Sequence, residues 1–421
     1  MAQPREIVIT GIGVVSPLGI GIDAFRQSLA AQRSGVGPLT IVDTTHLPMP
    51  YGGELRDFDP KLYVKPRKSL KVMSRDIQTA YAAADLAMQH GKLEKGQLPP
   101  ERLGVVFGAD MIYGEMPELE LAFRGCLVDG QFDHGRWGES AMANIFPLWM
   151  LKYLPNYPAC HVGIVHDARG PNNTITLGEA SSLLAIGEAA SCIQRGMADV
   201  MLTGGTGSRL SLATLAFFGH DVRSHRKDAP QSASRPFDAQ RDGMVYGEGS
   251  AVMLIEAREH AEARGAKILG RLLGWASAYE NRRFAADGDG SGYDRAIGAA
   301  LRAADVAAAD VGHVNAHGES TIAGDRNEAG AIRRVLADVP VLAMKSYFGN
   351  LGAGGGAVEL LASLLAFESG EVPVSLNYET PDPACPVNVV HGSPLSGAAP
   401  LAVAVNQSRT GQTSAVVVAG A

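Results

Sequence analysis

Glu179 stands where a strand-like run, residues 173–178 (NTITLG), stops at a glycine and a small-residue, mostly apolar helix, residues 180–195 (ASSLLAIGEAASCIQR), begins. A helix start carries unpaired backbone N–H groups and the positive end of the helix dipole. A carboxylate there can cap the helix and pair with His317 or Lys345, serve as a general base, or act as a fixed anion that selects substrate. The same place would lower a thiol pKa or hold an oxyanion. Burial would raise the Glu179 pKa, whereas Lys345 and the dipole would lower it. His317, in VNAHGEST (314–321), is either a core histidine held by hydrogen bonds or a proton-transfer group. Asn350, in KSYFGNLGAGGG (345–356), offers an amide to a pocket or to an enolate oxygen.

Other candidates are weaker. The run Gly352–Gly356 lacks the Lys-Ser/Thr ending of a phosphate loop and reads as tight packing. Cys192 lies ~20 Å beyond Glu179 at 1.5 Å per helical residue, too far to stand in as nucleophile. Ser181 and Ser182 are nearer but have no adjacent base. Cys126, Cys160, Cys192 and Cys385 lack CxxC spacing, so neither a zinc site nor a disulfide framework is expected.

The net charge of −7 argues against a general nucleic-acid binder, which needs a concentrated basic face. The short run Arg223, His225, Arg226, Lys227 is either a solvated loop or a docking point for an acidic carrier protein. No uncharged apolar stretch reaches the ~18 residues of a membrane span, and the start lacks a signal-peptide pattern, so a cytoplasmic protein is expected.

The elements that must position these residues form two series. Residues 6–14 are a β-branched strand, followed by Ile22, Phe25 and Leu29 at helical spacing. Ile77, Tyr81, Ala84 and Met88 predict a helix over 75–90, and residues 103–108 and 198–204 predict buried strands. A second series runs from strand 251–256 through strand 268–278, helix 294–305, strand 311–316, helix 325–337, strand 340–344 and helix 355–369 to paired strands near 401–406 and 413–419. Near-continuous apolar strands alternating with helices predict a parallel or mixed sheet covered on both faces. A chain of 421 residues exceeds one simple core, so two similar halves are expected, at 1–256 and 257–421. The irregular, aromatic-spotted stretch 110–165 suits an insertion that covers a site or a partner.

Four blocks carry a specific resemblance. GPNNTITLGEASSLLAIGEA (170–189), SRPFDAQRDGMVYGEGSAV (234–252), VNAHGEST and KSYFGNLGAGGG occur in the order, and with much of the lettering, of the β-ketoacyl synthase family. The resemblance implies a thiolase-like α/β fold, two αβαβα-type halves in a five-layered α-β-α-β-α body, with the site at their junction and a homodimer or heterodimer as the assembly. It implies substrates carried on the phosphopantetheine of acyl carrier protein, with no other cofactor and no metal. In that family a cysteine takes the acyl chain while two histidines assist malonyl decarboxylation.

The sequence departs from the pattern at four points. Glu179 stands in the cysteine's place, and a carboxylate cannot store an acyl group as a thioester. Asn350 replaces the second histidine, and Glu319 replaces a threonine that helps hold pantetheine. The usual Gly-Phe-Gly-Gly gate loop reads Arg409-Thr410-Gly411-Gln412, with Arg409 placed to fill the pocket or pair with Glu179. The matching His317, Lys345, Thr321, Asp325, Glu328 and Glu359 imply a catalytic set of Glu179, His317, Asn350 and Lys345. They also imply a substrate lining of Thr321, Glu319, Thr410 and Arg409, and supporting acids Asp325, Glu328 and Glu359. Two functions follow: a chain-length-factor-like partner of a cysteine-bearing ketosynthase, or an enzyme acting on acyl- or malonyl-carrier thioesters with altered chemistry through Glu179, His317 and Asn350.

Overall fold

The computed structural model describes residues 5–281 and 288–421. In its first half, strands β1 (Ile7–Ser16), β2 (Leu103–Ala109), β3 (Asn172–Ile175), β4 (Val200–Ser208) and β5 (Glu248–Ala257) alternate with helices α1 (Arg75–His90), α2 (Tyr157–His166) and α3 (Ser181–Gln194). The second half repeats the order with β6 (Gly270–Tyr279), β7 (His313–Asn315), β8 (Pro340–Leu342), β9 (Leu401–Gln407) and β10 (Gln412–Ala419), and with α4 (Ser291–Ala304), α5 (Ile322–Leu336) and α6 (Gly355–Ser369).

The sheet order makes the repeat explicit. The first half runs β3-β2-β4-β5-β1 and the second β8-β7-β9-β10-β6. In each, the first three strands are parallel and the last two join antiparallel. β1 and β6 pair antiparallel through Ile7–Ile9 and Gly270–Leu272, so the two sheets share an edge.

Alternate strand residues explain why the apolar runs are nearly continuous. Met253 and Ile255 of β5 and Val416 and Val418 of β10 face a central layer containing Leu183 and Ile186 of α3 and Leu360 and Leu361 of α6. Val252 and Leu254 face outward onto Ala83, Ala84 and Ala87 of α1. Val417 faces outward onto Ile297 of α4 and Ile332 of α5. The result is five layers, α-β-α-β-α, with α3 and α6 enclosed between the sheets. Glycine sets the closeness of that central layer: a Cβ at Gly108 would lie 2.5 Å from the Ser182 backbone nitrogen, which holds the start of α3 against β2.

Residues 110–165 contain more regular structure than their spacing suggests. Helices Met116–Arg124 and Trp137–Asn144 pack on each other, with Phe123 and Trp137 ring centroids 5.2 Å apart. Leu121, Met142, Phe146 and Met150 nevertheless remain exposed there. Among the described residues, no helix is long and apolar enough to cross a membrane.

Candidate functional site

The expected strand 173–178 ends its pairing at Ile175, and Gly178 turns the chain with φ +59°. Glu179 therefore sits in a tight turn, Gly178–Ala180, that leads into α3. α6 is entered through an equivalent turn, Gly352–Gly354, and the two turns touch. Two helix N-termini thus converge on one buried place, which favours negative charge there.

Glu179 is 2% exposed and supplies that charge. Its Oε1 pairs with Arg209 Nη2 at 2.8 Å and accepts a hydrogen bond from Asn350 Nδ2 at 3.2 Å. Burial pushes the carboxyl up, but the Arg209 guanidinium beside it is the main influence that holds the group below its usual range. Arg209 lies 3.9 Å from Asp110 Oδ2 and over the Tyr246 ring, 5.6 Å from its centroid. Asn350 is oriented by its own Oδ1, which accepts from the Gly352 backbone N–H at 2.9 Å. Glu179 is thus tied to Arg209 and Asn350, while Lys345 is engaged elsewhere.

Lys345, 1% exposed, donates to His317 O at 2.7 Å, Glu359 Oε1 at 2.6 Å and His317 Nδ1 at 3.2 Å. Its three donors are all used. Asn406 Nδ2 also faces His317 Nδ1, at 3.3 Å, and donates to Glu359 Oε2 at 2.8 Å. With two donors on Nδ1, the hydrogen of a neutral His317 ring belongs on Nε2. That nitrogen lies 3.5 Å from Glu319 Oε2. Glu319 Oε1 in turn accepts from Thr321 Oγ1 at 2.7 Å. Burial raises the Glu319 carboxyl, but His317, Thr321 and Lys345 overcome it and bring it to about 2.

Two further acids shape the backbone around His317. Glu328 accepts from the His317 and Gly318 N–H groups at 2.6 and 2.7 Å, and burial pushes its carboxyl up to about 8 against those bonds. Asp325 accepts from the Phe237 and Ser320 N–H groups at 2.7 and 3.0 Å; burial raises it to about 7 despite Arg241 nearby. Thr321 caps α5, its Oγ1 accepting from the Gly324 N–H at 3.2 Å.

A cavity of about 440 Å³ opens onto this cluster. His317, Glu319, Thr321 and Arg409 stand in its wall, with Asp221 and Asp242; Glu179 and Asn350 do not. Arg409 is half exposed and pairs with Asp221 at 3.4 Å, so the ion partner recorded for Glu179 is Arg209. Thr410 is exposed at the tip between β9 and β10 and shares a hydrogen bond with Ser408 Oγ at 2.8 Å. Of the basic run, Arg223 is buried against Tyr246, 4.9 Å from the ring centroid, which leaves only its neighbours for any docking surface. Ser181 and Ser182 Oγ accept from the Leu177 and Ala357 N–H groups, and all four cysteines are unpaired. Among the described residues no cluster of His, Cys, Asp and Glu is placed to hold a metal.

Family models for the N-terminal and C-terminal domains of β-ketoacyl synthases match residues 4–261 and 269–379. The chain belongs to the β-ketoacyl synthase family. It is similar to 3-oxoacyl-[acyl-carrier-protein] synthase 2 of Synechocystis sp., 34% identical over 93% of this chain and 92% of the relative. Two solved structures cover the whole chain over their own whole length. One is the ketosynthase complex of a type II polyketide acyl-carrier protein bound to a hexaketide, with TM-score 0.86 and 28% identity. The other is the ishigamide ketosynthase/chain length factor, with TM-score 0.85 and 26% identity. The mixed sheet and enclosed helices are those of a thiolase-like ketosynthase fold.

Three residues of the ketosynthase-like site escape sequence reasoning: Arg209, Asp110 and Asn406. Each was findable by position. Asp110 follows β2, Arg209 follows β4, and Asn406 is the last residue but one of β9, so all lie at strand carboxyl ends, where open α/β sheets place their ligands.

Proposed function

We propose that this chain is a non-condensing, chain-length-factor-like subunit of acyl-carrier-protein-dependent fatty acid or polyketide biosynthesis, paired with a homologue that supplies the cysteine. One observation carries the reading. The motif order puts Glu179 in the nucleophile's position, and that carboxylate is buried, ion-paired to Arg209 and outside the wall of the cavity. A group so placed neither stores an acyl chain nor meets one. Exposed apolar side chains on the 110–165 insertion, with Ile164 of α2, support a protein interface on that side. The phosphopantetheine arm of acyl carrier protein is the only cofactor the reading needs.

A second reading is favoured by a different observation. His317 keeps its Nε2–H toward the cavity, oriented by Lys345 and Asn406, so decarboxylation of a carrier-bound thioester remains chemically available. Purified protein incubated with malonyl-loaded carrier protein separates the two by mass spectrometry. No loss of carbon dioxide, together with a stable heterodimer on co-expression with a cysteine-bearing ketosynthase, is expected for the subunit. Loss of carbon dioxide by the chain alone, abolished in His317→Ala, overturns it.

A further inference from the structure

The start of α5 is an anion position. Thr321 caps it, its Oγ1 accepting from the Gly324 N–H, and His317 Nε2 faces the same spot. In this chain the position is already filled from within. Glu319 places Oε2 3.5 Å from His317 Nε2 and takes the Thr321 hydroxyl on Oε1, and a Cβ at Gly324 would lie 2.5 Å from Oε1. The remaining charges of the cavity wall do not reverse this. Among the described residues its carboxylates are Glu319, Asp221 and Asp242, against the single guanidinium of Arg409, which Asp221 answers at 3.4 Å.

We propose that Glu319 is a resident anion that sets the ligand class of this cavity: it admits a pantetheine arm carrying an uncharged acyl group and refuses one ending in a carboxylate, such as malonyl. The inference rests on the acyl-carrier-protein dependence proposed above, with this cavity as the place where the phosphopantetheine arm enters. A dicarboxylic thioester that brought its free carboxylate to His317 would set two negative charges within a few ångströms of each other in a wall already rich in carboxylates. Partial burial strengthens such repulsion well beyond its value in water. An uncharged acyl group brings no such repulsion, and the wall offers it aliphatic surface at Val222 and Ile322.

The test is calorimetric titration with two non-hydrolysable pantetheine analogues, one malonyl and one butyryl, into wild type, Glu319→Gln and Glu319→Thr. Wild type is expected to bind the butyryl analogue at least about tenfold more tightly, and both variants to narrow that ratio by about tenfold. Titration at raised salt is expected to narrow the wild-type ratio as well. Binding of both analogues with a ratio unmoved by Glu319→Gln overturns the filter and leaves the carrier-arm reading standing. Binding of neither analogue by any of the three proteins overturns that reading and the filter with it.

Discussion

Replacing Arg209 with leucine tests whether Glu179 is held as a buried ion. The substitution leaves a carboxylate 2% exposed without its cation, and breaking a buried pair by removing one partner costs about 3–5 kcal/mol. Arg209 keeps 16% of its side chain accessible, so the lower end, about 3 kcal/mol, is expected at neutral pH. The cost should depend on pH in a definite direction. In the wild type the Glu179 carboxyl sits below its unfolded value of 4.5, so its stabilisation is complete above that pH and is lost as pH falls through the folded value. In Arg209→Leu, burial loses its main opponent and the folded value rises above the unfolded one. The unfolded chain then sheds its proton first, and the variant loses stability as pH rises from about 4.5, by up to about 1.4 kcal/mol per unit. Urea denaturation of both proteins at half-unit steps from pH 4.5 to 8 measures the gap. Adding Glu179→Gln to Arg209→Leu should restore more than half of the loss at pH 8. A gap that stays constant across the range, or that remains below about 1 kcal/mol at pH 8, would refute the buried-ion argument.

Three further outcomes are expected. Lys345→Met removes the donor to His317 O, His317 Nδ1 and Glu359, and should cost about 3–5 kcal/mol in denaturant titration; Lys345→Arg should not restore it, because a planar fork cannot meet three acceptors gathered round a point. Glu328, raised to about 8 in the fold, costs stability as pH climbs from about 5 to 8, since the unfolded chain ionises first. Glu328→Gln should lower stability at pH 5 yet flatten the slope against pH by up to about 1.4 kcal/mol per unit. Gly356→Ala would set a Cβ 2.2 Å from Asn406 Oδ1 and 2.8 Å from Ser182 Oγ, so it should cost about 1–3 kcal/mol and displace the amide from His317 Nδ1, visible as a changed histidine ¹⁵N spectrum.

The fold was legible in the sequence because the central layer forces both faces of each strand to be apolar. Val416, Val417 and Val418 read as one buried run, and they are divided between the enclosed helices and the outer layer. The helix over 75–90 was legible for the opposite reason: Ile77, Tyr81, Ala84 and Met88 are buried at helical spacing while Gln89 and His90 are exposed. The ends of elements were less legible. The strand leading to Glu179 stops pairing at Ile175, three residues before the glycine that ends the run, and local pattern does not report where a partner strand stops. The pairing of charges was least legible, since it depends on which loops return to the same place in space. Lys345 opens its motif and Glu359 lies just beyond that motif's end, 14 residues away, whereas Glu179 and Arg209 are separated by a helix and a strand.

The repeat explains the form of that miss. β4 and β9 occupy the same place in the two sheet orders, third after β3-β2 and after β8-β7. The arginines that follow them, Arg209 and Arg409, are therefore near-equivalents in the two halves. Expecting an arginine beyond such a strand to meet Glu179 chooses the right residue type and the right structural position, in the wrong half. The connections decide between them. β9 reverses at once into β10, so Arg409 stays on a short hairpin tip and reaches Asp221. β4 is followed by a long excursion before β5, and Arg209 turns inward over Tyr246 to the meeting point of the two helix starts. Two converging dipoles already favour an anion there, so an arginine would be unwelcome without Glu179 and Asp110 beside it. Arg209 and Glu179 should consequently change together: a cysteine at position 179 would lower the need for Arg209, and Glu179→Cys with Arg209→Leu should unfold at a higher denaturant midpoint than Arg209→Leu alone.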